Sequence, residues 1–229
     1  MKVPFLPKKK IVDIAENVFS EYQAMVGHDV NPPIPVEDIL ERYLGVTLCF
    51  HDFKEKHGME GVLGATYVKK QLICADTKLL DDPSEGRLNF TWAHEAGHWV
   101  MHRKLVNNAS NTILCRYKDA KLPVEWQADY FASCLLMPEK KVKEAWDKTY
   151  GPDPLVIFNV RSALKGPVYF DPSASNWHLI ADRVCEAGGF SNVSKQAMII
   201  KLQNLGLVKN TTGARMGWAK VFFENLNPA

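Results

Sequence analysis

Apolar residues recur at three- to four-residue intervals near the start of the chain. Ile11, Ile14, Ala15, Val18, Phe19 and Tyr22 fall on one stripe between Lys8 and Val26. That period marks one face of an α-helix, and Gly27 ends it. Asn31-Pro32-Pro33-Ile34-Pro35 cannot be helical, so a shorter helix is expected over residues 36–44. The pattern then turns strand-like at residues 46–51. Two apolar runs, 61–68 and 71–75, joined by Lys69-Lys70, read as a β-hairpin. Helical spacing returns with Leu88, Trp92, Ala96, Trp99 and Val100. It predicts a largely buried helix to about Arg103, with Asp82 or Ser84 as its cap. Residues 104–121 are polar and poorly periodic, and read as a loop with a short strand at 113–116. Pro123 suits the first turn of a further helix, which Pro138 breaks. Residues 139–148 read as another, with Lys140, Lys141 and Lys143 on a solvated face.

The pattern weakens after Tyr150, where Gly151-Pro152-Asp153-Pro154, Gly166-Pro167 and Asp171-Pro172 punctuate the chain. A soft boundary near residue 150 divides it into 1–150 and 151–229. A helix is expected over 176–187, stopped by Gly188-Gly189. A second, capped by Ser191 or Ser194, runs to Leu205 with Ala197, Ile199 or Ile200, Leu202 and Leu205 inward. Two short helices about a glycine-containing turn suggest a helix-turn-helix, and residues 210–223 could add a winged hairpin. Lys195, Gln196 and Lys201 are the positions that would face DNA. Basic residues are few there, which favours a packing or docking module. Trp218, Phe222 and Phe223 read as core for the same reason.

These elements make the fold class α+β: a mainly helical domain with a small β-sheet, followed by a C-terminal helix-turn-helix-like unit. The net charge is only +2, so no strong field toward nucleic acid or an anionic membrane is implied. The five cysteines, Cys49, Cys74, Cys115, Cys134 and Cys185, are odd in number and contain no CxxC. That argues for reduced thiols in a cytosol. The first residues contain no apolar run of signal-peptide length. No stretch approaches the ~18 apolar residues of a membrane span. A cytoplasmic protein is expected.

The chemistry concentrates in His94-Glu95-Ala96-Gly97-His98. Two imidazoles four residues apart share one helix face, where both can reach one metal ion. Zinc is the usual occupant, although a His₂-carboxylate set also serves Mn²⁺ or Fe²⁺. Glu95 emerges beside the metal, placed to take a proton from water there. A catalytic zinc needs a third protein ligand and one open position. Glu125 supplies a carboxylate on a second amphipathic helix. Asp129, one turn on, suits an acceptor that holds a ligating histidine by its other nitrogen. His102 is about 12 Å along the axis from His94, too far to share the ion, and reads as a surface or cap histidine. His51 and His57 read as loop or strand-end residues. Cys115 lies between the two zinc-binding segments, and a buried structural thiol is its simpler reading.

His94-Glu95-Ala96-Gly97-His98, taken with Glu125-Trp126-Gln127-Ala128-Asp129-Tyr130-Phe131-Ala132-Ser133-Cys134-Leu135-Leu136-Met137-Pro138, resembles the ImmA/IrrE family of bacterial metallopeptidases. The resemblance covers roughly residues 8–148 well and the C-terminal third more loosely. It implies a gluzincin-like fold, with His94, His98 and Glu125 on zinc and Glu95 as catalytic base. It also implies a substrate class: cytosolic helix-turn-helix repressors, cleaved to switch on mobile-element or stress genes. Tyr67, Tyr117, Tyr130 and His178 are all candidates to stabilise the oxyanion. A strand of the 61–75 hairpin could pair with an extended substrate or lie inside the sheet. The rival from another class is a DNA-binding regulator whose zinc site is structural or sensory, closed by Cys115. A third reading is a protein that only sequesters a repressor.

Overall fold

In a computed structural model, which describes residues 4–58, 60–81, 85–105, 112–116, 123–157 and 174–210, the N-terminal stripe is buried as its period requires. Helix α1 (Lys8–Val26) turns Ile11, Ala15, Val18, Phe19 and Tyr22 inward and ends at Gly27. Helix α2 (Val36–Asp38) continues as a π-turn through Ile39–Tyr43. Strand β1 (Thr47–His51) and the one-turn helix α3 (Phe53–His57) follow.

The expected hairpin is β2 (Val62–Tyr67) and β3 (Leu72–Asp76). Its two strands pair antiparallel, Thr66 opposite Ile73 and Gly64 opposite Ala75. Neither is an edge. β1 lies parallel on β3, and β4 (Thr112–Arg116) lies antiparallel on β2, giving the order β1-β3-β2-β4. The internal-strand reading of the hairpin therefore holds, and the substrate-edge reading fails because both ladders are already filled.

Strand alternation gives the sheet two distinct faces. Ala65, Cys74, Val62 and Phe53 form a small buried cluster on one side, with Cys49, Tyr67 and Leu72 packed against it. The other side carries Gly64, Thr66, Ile73 and Ala75 and meets helix α4 (Glu85–Gly97). On this side Phe50 packs edge-on against Trp92, with ring centroids 5.6 Å apart.

The thiol expectation needs correcting. Cys49 and Cys74 are joined by a disulfide, with their Cα atoms 4.6 Å apart. The parallel pairing sets them directly in register, a relation that 25 residues of sequence separation conceal. Among the described residues, Cys134 and Cys185 are not in a disulfide.

Helix α4 runs on into a π-turn over His98–His102. Helix α5 (Pro123–Leu136) packs along it, and α1 packs on α5. Residues 4–138 thus form one unit, joined by Ser191–Val193. Asn192, itself buried, donates from Nδ2 to the Ile34 carbonyl at 2.9 Å.

The second unit begins with helix α6 (Glu139–Tyr150), which packs on α7 (Ala174–Gly188). Its Val142, Ala145 and Trp146 are buried, and so is Lys141, which the sequence placed on a solvated face. Helix α8 (Lys195–Asn204) follows, capped by Ser194, whose Oγ accepts from the Ala197 N–H at 3.1 Å. Strand β5 (Leu155–Ile157) pairs parallel with β6 (Val208–Asn210), a two-stranded element that the weak pattern there did not signal. The expected wing at 210–223 lies outside the described residues apart from Asn210. Among the described residues, no helix is long and apolar enough to cross a membrane.

Candidate metal centre

The site is built on the seam between α4 and α5. Every residue from Thr91 to Trp99 is buried, so the motif helix is fixed on all sides. The small residue inside the motif has a structural cause. A Cβ on Gly97 would lie 3.1 Å from the Ala128 Cα and 3.2 Å from the Phe131 ring. Glycine therefore lets the two helices approach closely enough for their polar side chains to converge.

His94, His98 and Glu125 meet at one point and could hold a metal ion. The two imidazole Nε2 atoms are 2.9 Å apart. Glu125 Oε2 lies 3.3 Å from His94 Nε2, and Oε1 lies 3.5 Å from His98 Nε2. In a tetrahedral site with bonds of 2.0–2.1 Å, neighbouring donors are about 3.3 Å apart. The donor set fits zinc in both chemistry and spacing.

Electrostatics point the same way. Burial pushes the His98 pKa down to about 4, leaving a neutral ring with a lone pair to offer. Burial alone would raise the Glu125 carboxyl, but hydrogen bonds with His94 and His98 outweigh it and hold that pKa near 2. Glu125 is thus an anion facing the neutral ring of His98, a charge state suited to a cation.

Each imidazole is gripped by its other nitrogen. His94 Nδ1 lies 2.8 Å from Asp129 Oδ1. His98 Nδ1 lies 3.0 Å from Nδ1 of His102. His102 is fully buried, which corrects its reading as a surface or cap residue. The π-turn carries it into the α4–α5 seam, where its Nε2 meets Gln127 Oε1 at 3.0 Å. Gln127 in turn donates to the Pro4 carbonyl at 3.0 Å.

Glu95 comes from the same helix but faces the sheet. Thr66 of β2 donates to its Oε2 at 2.6 Å. Its Oε1 is buried and has no hydrogen-bond partner among the described residues. A Cβ on Gly64 would stand 2.5 Å from that oxygen, so only glycine leaves it room. Burial raises the Glu95 pKa to about 7, with the nearby Glu125 adding to it and His94 and Thr66 opposing.

Of the oxyanion candidates, Tyr67 packs with the cluster on the sheet face opposite Thr66. Tyr130 stacks on Trp126, with Lys8 over its ring. His178 belongs to the second unit, and Tyr117 lies outside the described residues. Cys115 sits on β4 at the register of Gly64. Thr66, Gly64, His102 and Gln127 escaped the sequence reading. Only His102 left a trace there, as the third member of a four-residue histidine series.

A motif helix bearing two imidazoles, a second helix bearing a carboxylate and a sheet strand against the intervening glutamate together make a site that could hold one metal ion beside a buried acid. The comparison with known families sharpens this picture. Residues 41–153 match the family model of the IrrE N-terminal-like domain, peptidase family M78, and the chain carries a domain of that metallopeptidase family. The match spans both helices of the site and the whole four-stranded sheet. No curated protein matches the chain significantly.

Proposed function

We propose that the protein is a zinc-dependent endopeptidase that cleaves a helix-turn-helix repressor of a mobile element or stress regulon. The observation that carries the reading is the convergence of His94, His98 and Glu125 beside a buried glutamate oxygen that has no hydrogen-bond partner among the described residues. Zinc, when bound, would polarise the scissile carbonyl and acidify water.

The remaining work falls to the protein's own groups. Glu95 takes a proton from the attacking water on Oε1, while Thr66 keeps Oε2 in place. A pKa raised by burial to about 7 suits a group that must both accept and return a proton near neutrality. It passes that proton to the leaving amide nitrogen as the C–N bond breaks. Asp129 orients the His94 ring through Nδ1.

The repressor as substrate rests on the resemblance to the ImmA/IrrE family. Direct DNA binding by the second unit has less support. Lys201 is buried, and Lys195 is ion-paired to Asp182 at 2.6 Å, so it would have to exchange that partner for a phosphate.

The test is incubation with the helix-turn-helix repressor encoded nearest to this chain, read by intact mass. Two fragments whose masses sum to the repressor plus one water are expected with zinc, and none with a chelator. Glu95→Gln should retain one zinc per chain and produce no fragments. Cleavage by that variant at the unmodified rate would refute the role given to Glu95.

A further inference from the structure

The side chains behind His98 form a line that ends on a group of fixed polarity. The Pro4 carbonyl can only accept a hydrogen bond. Gln127 must therefore turn its Nε2 toward Pro4, which leaves Oε1 facing His102. An amide oxygen also only accepts, so the His102 hydrogen sits on Nε2. A ring carrying its hydrogen there presents a lone pair at Nδ1. That lone pair is 3.0 Å from His98 Nδ1, which must then carry the hydrogen between them. His98 Nε2 is left bare, beside His94 Nε2 and Glu125.

We infer that His102 and Gln127 are positioning residues that fix the His98 tautomer and so keep its metal-facing nitrogen free of hydrogen. They act through His98 and touch neither metal nor substrate. The two histidines of the motif are thus held by unlike means. His94 has a carboxylate, which would accept a hydrogen from either orientation of the ring. His98 has a neutral relay whose direction is set about three side chains away. The N-terminal segment is the anchor. Phe5 stacks on Trp126 with ring planes 4° from parallel, and Lys8 lies over Tyr130, so residues 4–8 are held along α5.

The inference rests on the metal-site reading for its purpose but not for its test. Long-range ¹H–¹⁵N spectra of the metal-free full chain, with ¹⁵N-labelled histidine, report which nitrogen of each ring bears hydrogen. His98 should appear with hydrogen on Nδ1 and His102 with hydrogen on Nε2. The opposite tautomer at either ring overturns the inference.

Zinc titration against a competing chelator provides the second readout. Replacing an outer-shell partner of a metal ligand typically weakens binding about 10–100-fold, and His102→Phe should do so. His102→Gln can accept from His98 and donate to Gln127, so it should recover most of the loss. Gln127→Met, which perturbs the fold less, should release the His102 tautomer and weaken zinc binding by a smaller factor. Unchanged zinc affinity in folded His102→Phe, or no recovery with His102→Gln, overturns the inference. Failure of the unmodified chain to bind zinc would sink the metallopeptidase reading, and the tautomer spectra would still decide this one.

Discussion

The helix pair and the sheet contribute to the same site in different ways. The α4–α5 seam supplies every candidate metal ligand, and within each helix the i, i+4 spacing places paired side chains on one face. Among the described residues the sheet contributes nothing to the His94–His98–Glu125 group, yet two of its residues, Gly64 and Thr66, decide where the Glu95 carboxylate sits. Metal capture thus depends on local spacing along helices. The geometry of the base depends on register between strands and on how the sheet meets α4. The two properties should be separable by mutation.

The largest effect should come from the helix side. Glu125→Ala removes the one carboxylate of the His94–His98–Glu125 group, and its zinc affinity should fall by more than the roughly 10–100-fold typical of a lost outer partner. Chelator competition measures it. If zinc binding survives intact, the ligand assignment is wrong.

On the sheet side, Gly64→Ala should leave zinc affinity nearly unchanged and still cripple turnover. The added methyl would sit 2.5 Å from Glu95 Oε1, so the carboxylate must move. Losing a well-placed general base costs about 10²–10⁴-fold in rate, and a displaced one should approach the lower end. An equal loss of zinc and of activity would dissolve the contrast between helices and sheet.

Thr66→Val should act in the same direction but less strongly. It removes one hydrogen bond to a charged group, worth about 1.5–3 kcal/mol, which corresponds to roughly 10–100-fold in turnover. The fall should appear in kcat with KM little altered.

The smallest effect concerns stability without metal. The folded-state pKa of Glu95 is raised from 4.5 to about 7. The folded form therefore binds this proton more tightly than the unfolded chain does. Its stabilising effect is complete below about pH 4.5 and is lost as pH rises through 7. Glu95→Gln cannot ionise, so the metal-free variant should be more stable than the unmodified chain at pH 8, by on the order of 1–3 kcal/mol. The two should converge near pH 4.5. Thermal melts in chelator across that range would show it. A variant less stable at pH 8 would mean that Glu95 is not held in a desolvating site.

The same division between local and long-range order explains what could be read before the structure. The stripe of α1, the motif helix, Glu125 with Asp129 and the Ser194 cap all lie within one or two turns of helix, where period and spacing speak directly. β2 and β3 were legible as a hairpin because one short turn joins them. Their interior position was not, since β1 and β4 join from distant segments. The Cys49–Cys74 pair was hidden in the same way. Distance along the helix keeps His102 from the ligand set, and its place in the sequence suggests a surface or cap histidine. Nothing local announced that its ring would meet Gln127 from another helix. Lys141 and Lys201 looked solvated by type alone, yet both are buried by the packing of the second unit.

The buried Asn192 ties a late segment of the chain, Ser191–Val193, to the bend at Ile34. The family match ends at residue 153, and a protein cut there would keep every histidine and carboxylate of the metal centre. It would lose the donor from Asn192 to the Ile34 carbonyl, a contact spanning 158 positions. A shortened enzyme should therefore fold less firmly around the Ile34 bend, by about 1 kcal/mol for that bond alone. The unit that carries the metal centre is therefore wider than the family match, since it takes in Ser191–Val193 as well.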